Sequence, residues 1–163
     1  MSYLVNTADI SDKFPETPFL LDFRSFGAKN YFCGEIITVE CPDDNSLAKS
    51  ILQKDGLGRV LFIEGNASDN VGLIGDNLVS IAKTNSWGAI IVNGRVRDVE
   101  ELSSIEFPVF ALGSCPKKSG KNNQGSYNIC FRIGEVQIKS GFWAYGDLTG
   151  ILISEKRLDL EGS

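Results

Sequence analysis

The sequence of 163 residues contains no histidine. Histidine-activated serine or cysteine nucleophiles and histidine general bases are therefore excluded, as is every metal site that needs an imidazole ligand. Any catalysis must use carboxylates, lysine, arginine, tyrosine, backbone amides or a hard metal ion. Sites built from oxygen ligands and water favour Mg²⁺ or Mn²⁺.

Basic charge and long apolar runs are also scarce. The chain carries 16 Lys and Arg residues against 21 Asp and Glu residues, a formal net charge of -5, which argues against direct binding of nucleic acid through its phosphates. No segment approaches the roughly 20 apolar residues of a membrane span. The opening MSYLVNTADISDKF also lacks a basic stretch followed by an apolar one. We therefore expect a cytoplasmic protein with no membrane contact.

Cysteine is scattered along the chain. None of the four cysteines lies in a C-x-x-C pair that would bind zinc or exchange disulfides. A cytosolic chain of this size needs no disulfide bonds. We expect small buried apolar side chains at Cys33, Cys41, Cys115 and Cys130.

The rest of the composition is that of an ordinary globular protein, with 42% apolar and 23% charged residues. The length suits one domain and is too short for two well-formed ones. The sequence shows no internal repeat and no linker rich in proline or serine. We predict a single domain over residues 1–163.

Apolar runs and helical patterns alternate through the first two thirds of the chain. The predicted strands cover residues 34–41, 59–65, 88–94 and 108–113. The predicted helices or helical turns cover residues 7–14, 43–58, 73–88 and 96–107. The first helix has a capping residue at Thr7 or Asp9, and the third has Ile74, Leu78, Ile81 and Ala82 on one face. This order implies right-handed crossovers and a parallel or mixed sheet.

The last third of the chain differs in character. Residues 127–154 contain alternating runs, an R-I-G-E turn and a glycine every few residues, which is typical of antiparallel hairpins. These hairpins would form a second sheet or a small barrel beside the first. We predict an α/β fold: a β/β/α layered domain whose mixed sheet has a parallel βαβ core and C-terminal antiparallel strands.

Two loops are candidates for a functional site. Ligands of open α/β sheets collect outside the carboxyl ends of the parallel strands, where the sequence has Gly75, Asp76, Asn77 and Leu78 after one strand and Arg97-Asp98 after the next. The first loop opens a helix and would favour a carboxylate or phosphate. In the second loop, the arginine could bind substrate oxygens and the aspartate could hold a divalent cation.

Both loops also have simpler interpretations. An Arg-Asp pair beside a turn is usually a solvated ion pair that contributes little. Residues 75–78 are equally explained as a helix cap. The basic loop PKKSGKNNQG (116–125) is predicted to be flexible and solvated, with anion binding over the site as the alternative.

Several spaced motifs together resemble a known family. They are G-D-N-L, the segment G-A-I-I-V-N-G-x-V-R-D and the late Y-G-D-L-T-G-I-L-I-S, with GEIITVEC and LGRVLFIEG before them. The chain resembles the regulator of ribonuclease E activity A (RraA) family, which is grouped with the class II 4-hydroxy-4-methyl-2-oxoglutarate aldolases. The resemblance implies a swivelling β/β/α domain in a homotrimeric ring, with sites between adjacent subunits.

The resemblance also implies roles for the residues of both loops. Backbone groups of Gly75, Asp76, Asn77 and Leu78 would bind the pyruvate part of the substrate. Arg97 would hold substrate oxygen, and Asp98 would anchor the metal.

This leads to a hypothesis of a metal-dependent lyase that acts on a 2-oxo dicarboxylate. Arg97 and the Mg²⁺ or Mn²⁺ ion would stabilise a pyruvate enolate, and Asp76, or a metal-bound water oriented by it, would be the general base. Longer aldolases receive an acidic residue from the C-terminal region of a partner subunit, and this sequence ends before that region. The resemblance thus predicts that oxaloacetate decarboxylation survives better than aldol cleavage. The alternative is a regulator that binds a ribonuclease or RNA helicase through its acidic surface.

Overall fold

The computed structural model of the chain describes residues 5–161. Within that range the helices are α1 (Thr7–Lys13), α2 (Ser46–Leu52), α3 (Asp76–Thr84) and α4 (Val99–Leu102). The strands of the first half are β1 (Phe19–Leu20), β2 (Arg24–Ser25), β3 (Phe32–Glu40), β4 (Val60–Glu64) and β5 (Gly72–Ile74). The later strands are β6 (Ala89–Val96), β7 (Val109–Ser114), β8 (Phe131–Ile133), β9 (Val136–Ile138), β10 (Trp143–Gly146) and β11 (Ile151–Ser154).

The larger sheet is mixed, with parallel strands at its centre. Its strand order in the described part of the chain is β1-β11-β10-β3-β4-β6-β7-β2, and β5 also pairs with β6. β3, β4, β6 and β7 pair parallel with one another, whereas β1, β2, β10 and β11 pair antiparallel. The predicted α/β fold, with a parallel core and antiparallel C-terminal strands, is confirmed.

The two outer strands of this sheet come from neighbouring stretches of chain. β1 ends at Leu20 on one edge, and β2 begins at Arg24 on the other. Because an extended chain covers at most about 3.6 Å per residue, this link holds the two edges within about 14 Å of each other. The sheet is therefore curled toward a barrel.

Alternate residues of β4 face two different cores. Leu61 and Ile63 pack in the cluster that contains residues of α2 and α3. Val60 and Phe62 pack in the cluster that contains the β8–β9 hairpin, where the ring of Phe62 lies edge-on to Phe131 at 5.4 Å between centroids. A strand covered on both faces is apolar at every position, as the run at residues 60–63 is. The layers are thus helices, sheet and hairpin.

The C-terminal strands are arranged differently from the prediction of a separate sheet or barrel. β10 joins β3, and β11 follows it in the same sheet as the parallel strands. Only β8 and β9 form a sheet of their own among residues 5–161. Alternating hydrophobicity predicts hairpins well, but it does not say which strand edge a hairpin joins.

Several local predictions are corrected by the structure. Ile74 lies in strand β5 and not on the face of helix α3, which begins at Asp76. Gly75 separates the short strand from the helix. Both segments contain buried apolar residues, so hydrophobicity alone does not show where the strand ends and the helix begins. The cap of α1 is Asn6, whose side-chain oxygen accepts a hydrogen bond from the Asp9 amide at 3.0 Å, and not Thr7 or Asp9.

The expectation of four buried cysteines holds for one of them. Cys41 is buried, Cys115 is partly buried, and Cys33 and Cys130 are exposed. Burial raises the pKa of the Cys41 thiol to about 12, with nearby carboxylates adding to the effect. This thiol is therefore an inert packing group.

The helices of residues 5–161 are all too short or too polar to cross a lipid bilayer.

Candidate functional site

The two predicted loops are brought together by the pairing of β5 with β6. Ile74 is in register with Val96, and the Arg97 amide donates to the Ile74 carbonyl at 2.8 Å. The two loops leave these strands at the same edge of the sheet, because parallel strands share their carboxyl end. Gly75 and Asp76 therefore lie beside Arg97 and Asp98, as the sequence predicts.

Strand β6 changes partner along its length to make this possible. Its first half pairs with β4 through Asn93, and its last residues pair with β5. The register shifts near Arg95 on both neighbouring ladders. β6 thus runs beyond the end of β4, which carries the strand further than the predicted end at residue 94 and presents Arg97 and Asp98 at the rim.

The carboxylate of Asp98 is fixed against the start of helix α3. Its Oδ2 atom accepts a hydrogen bond from the Asp76 amide at 3.1 Å. The same oxygen lies so close to Gly75 that a Cβ at that position would overlap it. Glycine is therefore needed at position 75 for this approach.

Asp98 itself adopts an unusual backbone conformation. Its φ of 59° and ψ of 44° lie in the left-handed region, which costs free energy for residues other than glycine and is best tolerated by Asn and Asp. The residue precedes helix α4, but its side chain makes no capping hydrogen bond to that helix. Its carboxylate is directed to α3 instead.

Arg97 and Asp98 do not form the solvated ion pair that their adjacency suggests. The Nε atom of Arg97 is buried and has no hydrogen-bond partner among residues 5–161. A buried guanidinium N–H without an acceptor is costly, and a bound anion would remove this cost. The simpler interpretation of this pair as surface charge is wrong for these two residues.

The carboxyl groups of Asp76 and Asp98 are close enough to affect each other. The pKa of Asp76 is raised, first by desolvation and then by the hydrogen bond and like charge of Asp98, with Glu101 adding a smaller repulsion. Two neighbouring carboxylates that repel each other favour either a shared proton or a bound cation. The pair therefore combines a candidate base with a candidate metal ligand.

These groups line one pocket of about 210 Å³. Lys49, Arg97, Lys118 and Lys121 line this pocket together with the two carboxylates of Asp76 and Asp98. The four positive charges exceed the two negative ones, so the pocket suits an anion. It is smaller than most drug-sized sites, which limits it to a small ligand.

The pocket residues that sequence reasoning missed include Asn45, Lys49, Lys118 and Lys121. Asn45 lies before α2, and its side-chain amide donates to the Leu73 carbonyl at 2.9 Å. The two later lysines belong to the basic loop 116–125, for which anion binding was the alternative to a solvated surface. The lysine content of that loop was the available signal, but its position over the pocket depends on long-range contacts.

The donor set fits a hard cation only in part. No group of three or more His, Cys, Asp or Glu side chains in residues 5–161 is arranged to hold a metal ion. Asp98, with Asp76 beside it, offers one or two carboxylates, and Mg²⁺ commonly binds one or two together with waters and substrate oxygens. The residues present therefore fit a metal that is completed by its ligand.

A larger groove of about 670 Å³ lies elsewhere, between the end of α1, the β8–β9 hairpin and the segment after β11. Its charges are mixed, and it contains none of the predicted site residues. Size alone does not make it the better candidate, because the convergent charges and the raised pKa lie in the smaller pocket.

The fold and the pocket define a curled α/β domain with a cationic pocket at the carboxyl edge of its parallel strands. Residues 7–153 match the family described as RraA-like, Aldolase/RraA. The chain belongs to this family, which confirms the resemblance seen in its motifs.

Individual relatives carry different names. The chain is 43% identical over 140 residues to a Photobacterium profundum protein named "Putative 4-hydroxy-4-methyl-2-oxoglutarate aldolase", with 86% of each chain covered. It superposes with a TM-score of 0.92 and 33% identity on the "RNA-processing inhibitor RraA from Thermus thermophilis", covering 100% of this chain and 99% of that one. A Geobacillus kaustophilus structure titled S-adenosylmethionine: 2-dimethylmenaquinone methyltransferase has a TM-score of 0.92 and 34% identity, with 97% and 99% covered.

Proposed function

We propose that this chain is a divalent-metal-dependent lyase that cleaves 4-hydroxy-4-methyl-2-oxoglutarate to pyruvate and also decarboxylates oxaloacetate. The observation that carries the proposal is the buried, unpaired Nε of Arg97 beside the Asp76–Asp98 carboxyl pair in one small cationic pocket. The aldolase name of the Photobacterium relative supports it further.

The pocket provides a binding mode for a 2-oxo acid. The Arg97 guanidinium donates to oxygens of the substrate, for which its planar fork is suited. Backbone groups of Gly75–Leu78 lie at the N-terminal end of α3, where the helix dipole favours a carboxylate. Gly75 carries no Cβ, so the ligand can approach the backbone closely.

Asp98, with Asp76 near it, would hold Mg²⁺ or Mn²⁺ in this site. When bound, the cation supplies Lewis acidity toward the keto acid.

Asp76 is the general base for the aldol substrate. Its raised pKa makes it a stronger base than an ordinary aspartate, and histidine is absent. Asp76 takes the proton of the C4 hydroxyl group, the C3–C4 bond breaks, and the new carbonyl leaves as one pyruvate. The electron pair remains on the other fragment as an enolate, which Arg97 stabilises until protonation at C3 gives the second pyruvate. With oxaloacetate, CO₂ leaves instead and no hydroxyl proton is removed.

The pocket does not suit the chemistry named in the Geobacillus title. S-adenosylmethionine carries a positive sulfonium, which four neighbouring cationic side chains would repel. The cofactor is also larger than ligands that a pocket of about 210 Å³ usually holds.

The assay that tests the proposal is Mg²⁺-dependent release of pyruvate from both substrates. We expect turnover by the wild type and a loss of at least about 100-fold in Asp98→Ala. Asp69→Ala is the matched control, because this aspartate is exposed and lies outside the pocket. Equal rates for wild type and Asp98→Ala, or rates no higher than Mg²⁺ alone, would refute the lyase.

A second candidate function is supported by the likeness to the Thermus RNA-processing inhibitor. In this function a homotrimer of the chain would bind a basic segment of a ribonuclease or RNA helicase, using the net charge of -5. Salt-dependent retention of such a partner together with absent turnover would favour it. Light scattering gives the mass of the assembly in the same preparation.

A further inference from the structure

Residues 117–124 of the basic loop 116–125 form the basic segment. This segment is folded onto the rest of the protein and is not a free loop. The Gly72 amide donates to the Lys117 carbonyl, and the Gly120 amide donates to the Asp43 carbonyl, both at 2.8 Å. Lys118 and Gly120 form isolated parallel bridges with Gly72 and Asp44. The backbone of this segment is thereby fixed on two sides of the pocket.

Asp44 is the buried side chain that holds this segment to the start of helix α2, where the Ser46 hydroxyl also accepts from the Asn123 amide at 3.2 Å. It is 2% exposed, and its two oxygens accept hydrogen bonds from the Ser46 amide at 2.9 Å and from the Asn122 amide. Burial alone would raise the pKa of this carboxyl, but the hydrogen bonds outweigh burial and lower it. Asp44 is therefore charged at neutral pH and connects α2 to the segment.

Three lysines are brought to the pocket by these contacts. Lys118 and Lys121 come from the basic segment, and Lys49 comes from α2. Their side chains are exposed, whereas Arg97 and Asp98 are partly buried. The lysines thus form the solvent side of the pocket, and Arg97 and Asp98 lie deeper.

The charges of the pocket exceed what one carboxylate needs. Arg97 and a cation near Asp98 already match the keto acid group of the substrate under the proposed function. Three further positive charges then have no partner in a monoanion such as pyruvate. A second carboxylate at the outer end of the ligand would balance part of this charge.

We propose that Lys49, Lys118 and Lys121 bind the distal carboxylate of the substrate and select dicarboxylates over monocarboxylates. Asp44, which accepts from the amide of the neighbouring Asn122, is a positioning residue for Lys121. The inference rests on the proposed function, because it assumes that the keto acid end is bound at Arg97.

The test compares two ligands that the enzyme cannot cleave, in the presence of Mg²⁺. Pyruvate has only the keto acid group, and 2-oxoglutarate adds a distal carboxylate without a C4 hydroxyl or a β-carboxylate. Calorimetry should show tighter binding of 2-oxoglutarate to the wild type. Lys49→Gln, Lys118→Gln and Lys121→Gln should each weaken 2-oxoglutarate about two- to fivefold and leave pyruvate unchanged.

Lys117→Gln is the matched control. Lys117 carries the same charge in the same segment, but its side chain does not line the pocket. The substitution keeps the carbonyl that binds Gly72. An unchanged affinity ratio in this variant excludes an effect of net charge alone.

The outcomes separate the inference from the proposed function. If pyruvate binds and the three pocket variants keep the wild-type ratio, or if Lys117→Gln lowers it equally, the distal site is refuted and the lyase stands. If the wild type binds neither ligand, the proposed function fails, and the inference fails with it.

The positioning role of Asp44 is tested by a double-mutant cycle. Asp44→Ala should lower the preference for 2-oxoglutarate as far as Lys121→Gln does, and the double variant should lose no more, because both changes act on one contact. Asp44→Asn keeps one acceptor oxygen and should show an intermediate loss. It also provides the cycle if Asp44→Ala does not fold. Losses that multiply in the double variant would refute a role through Lys121.

Discussion

Arg95 and Arg97 are two residues apart at the end of one strand, yet they meet aspartates in different ways. The Nε of Arg95 donates to Asp69 at 2.7 Å, and the Asp69 side chain is 78% exposed. Arg97 is adjacent to Asp98, but its Nε has no hydrogen-bond partner among residues 5–161. The Asp98 carboxylate accepts instead from the Asp76 amide at the start of α3. The first arrangement satisfies its own charges, whereas the second leaves donors and acceptors available to a ligand.

The difference comes from where the side chain of each arginine lies relative to β5. The Arg95 side chain reaches Asp69 in the loop before β5, where the aspartate is mostly exposed. The Arg97 side chain packs against β5, because a Cβ added at Gly72 would lie 2.9 Å from the Cβ of Arg97. Surface pairing and site formation are thus decided by packing and not by the order of residues in the sequence.

The largest expected effect that tests this comparison is the loss of Arg97. Arg97→Ala should lower kcat/KM for pyruvate release by about 1000-fold, because a donor to the developing enolate is removed. Steady-state kinetics measure the loss. Arg95→Ala should change kcat/KM less than about threefold, because its charge is already paired. Similar losses in the two variants would remove the distinction between the two arginines.

A smaller effect is expected for the general base. Asp76→Asn should lower the rate of aldol cleavage by about 100-fold. Decarboxylation of oxaloacetate should fall less, because it needs no proton removal from a hydroxyl group. Parallel assays of the two substrates measure this split. An equal loss on both substrates would show that Asp76 acts in binding and not as the base.

The same substitution has a consequence for stability that depends on pH. The pKa of Asp76 is raised in the folded state, so the folded protein is favoured while Asp76 is protonated and loses this advantage as pH rises through the raised value. At neutral pH, Asp76→Asn should therefore have a higher thermal midpoint than the wild type without metal. The gap should shrink as the pH falls toward about 4. A midpoint below that of the wild type at pH 7 would contradict the raised pKa.

Filling the space at Gly75 should weaken the site without unfolding it. Its φ of -130° is accessible to alanine, so the only conflict of Gly75→Ala is with the Asp98 carboxylate. Displacing that carboxylate from the Asp76 amide should weaken pyruvate binding with Mg²⁺ about tenfold. Gly150→Ala is the control, because a Cβ there meets nothing closer than 3.4 Å. Calorimetry in which Gly75→Ala matches the wild type would show that the close approach has no role in binding.

The smallest effect is expected at the outer pair. Asp69→Ala should change the free energy of unfolding by less than about 1 kcal/mol, because the pair is exposed and screened by salt. Urea denaturation at low and high salt measures it. A larger loss, or a loss of activity, would mean that this pair supports the rim of the pocket.

The sequence predicts the parallel core well because its strands are covered on both faces. The apolar runs at residues 60–63 and 89–92 are short and lie between glycines, which favours a buried strand over a helix. β5 was missed, because the two apolar side chains before Gly75 fit a helix equally well. The partner of the β10–β11 hairpin was missed too, because hydrophobic alternation carries no information on which edge it joins.

The sequence predicted those residues of the candidate site whose positions follow from the strand topology. Asp76, Arg97 and Asp98 could be placed together because parallel strands end on one side of the sheet. Lys118 and Lys121 could not, since Asp44 holds their segment through contacts across 78 residues of sequence. Nothing in local composition indicates that a buried aspartate far upstream orders a lysine-rich loop.

The left-handed backbone at Asp98 limits how this position can change over evolution. With φ at 59°, a branched or bulky side chain would strain the turn between β6 and α4, whereas asparagine and glycine would fit it. A descendant chain could thus exchange the carboxylate for an amide or a hydrogen atom with little disturbance of its architecture. One tolerated substitution at position 98 would remove the carboxylate and keep the fold. Relatives with the same fold therefore need not share an activity.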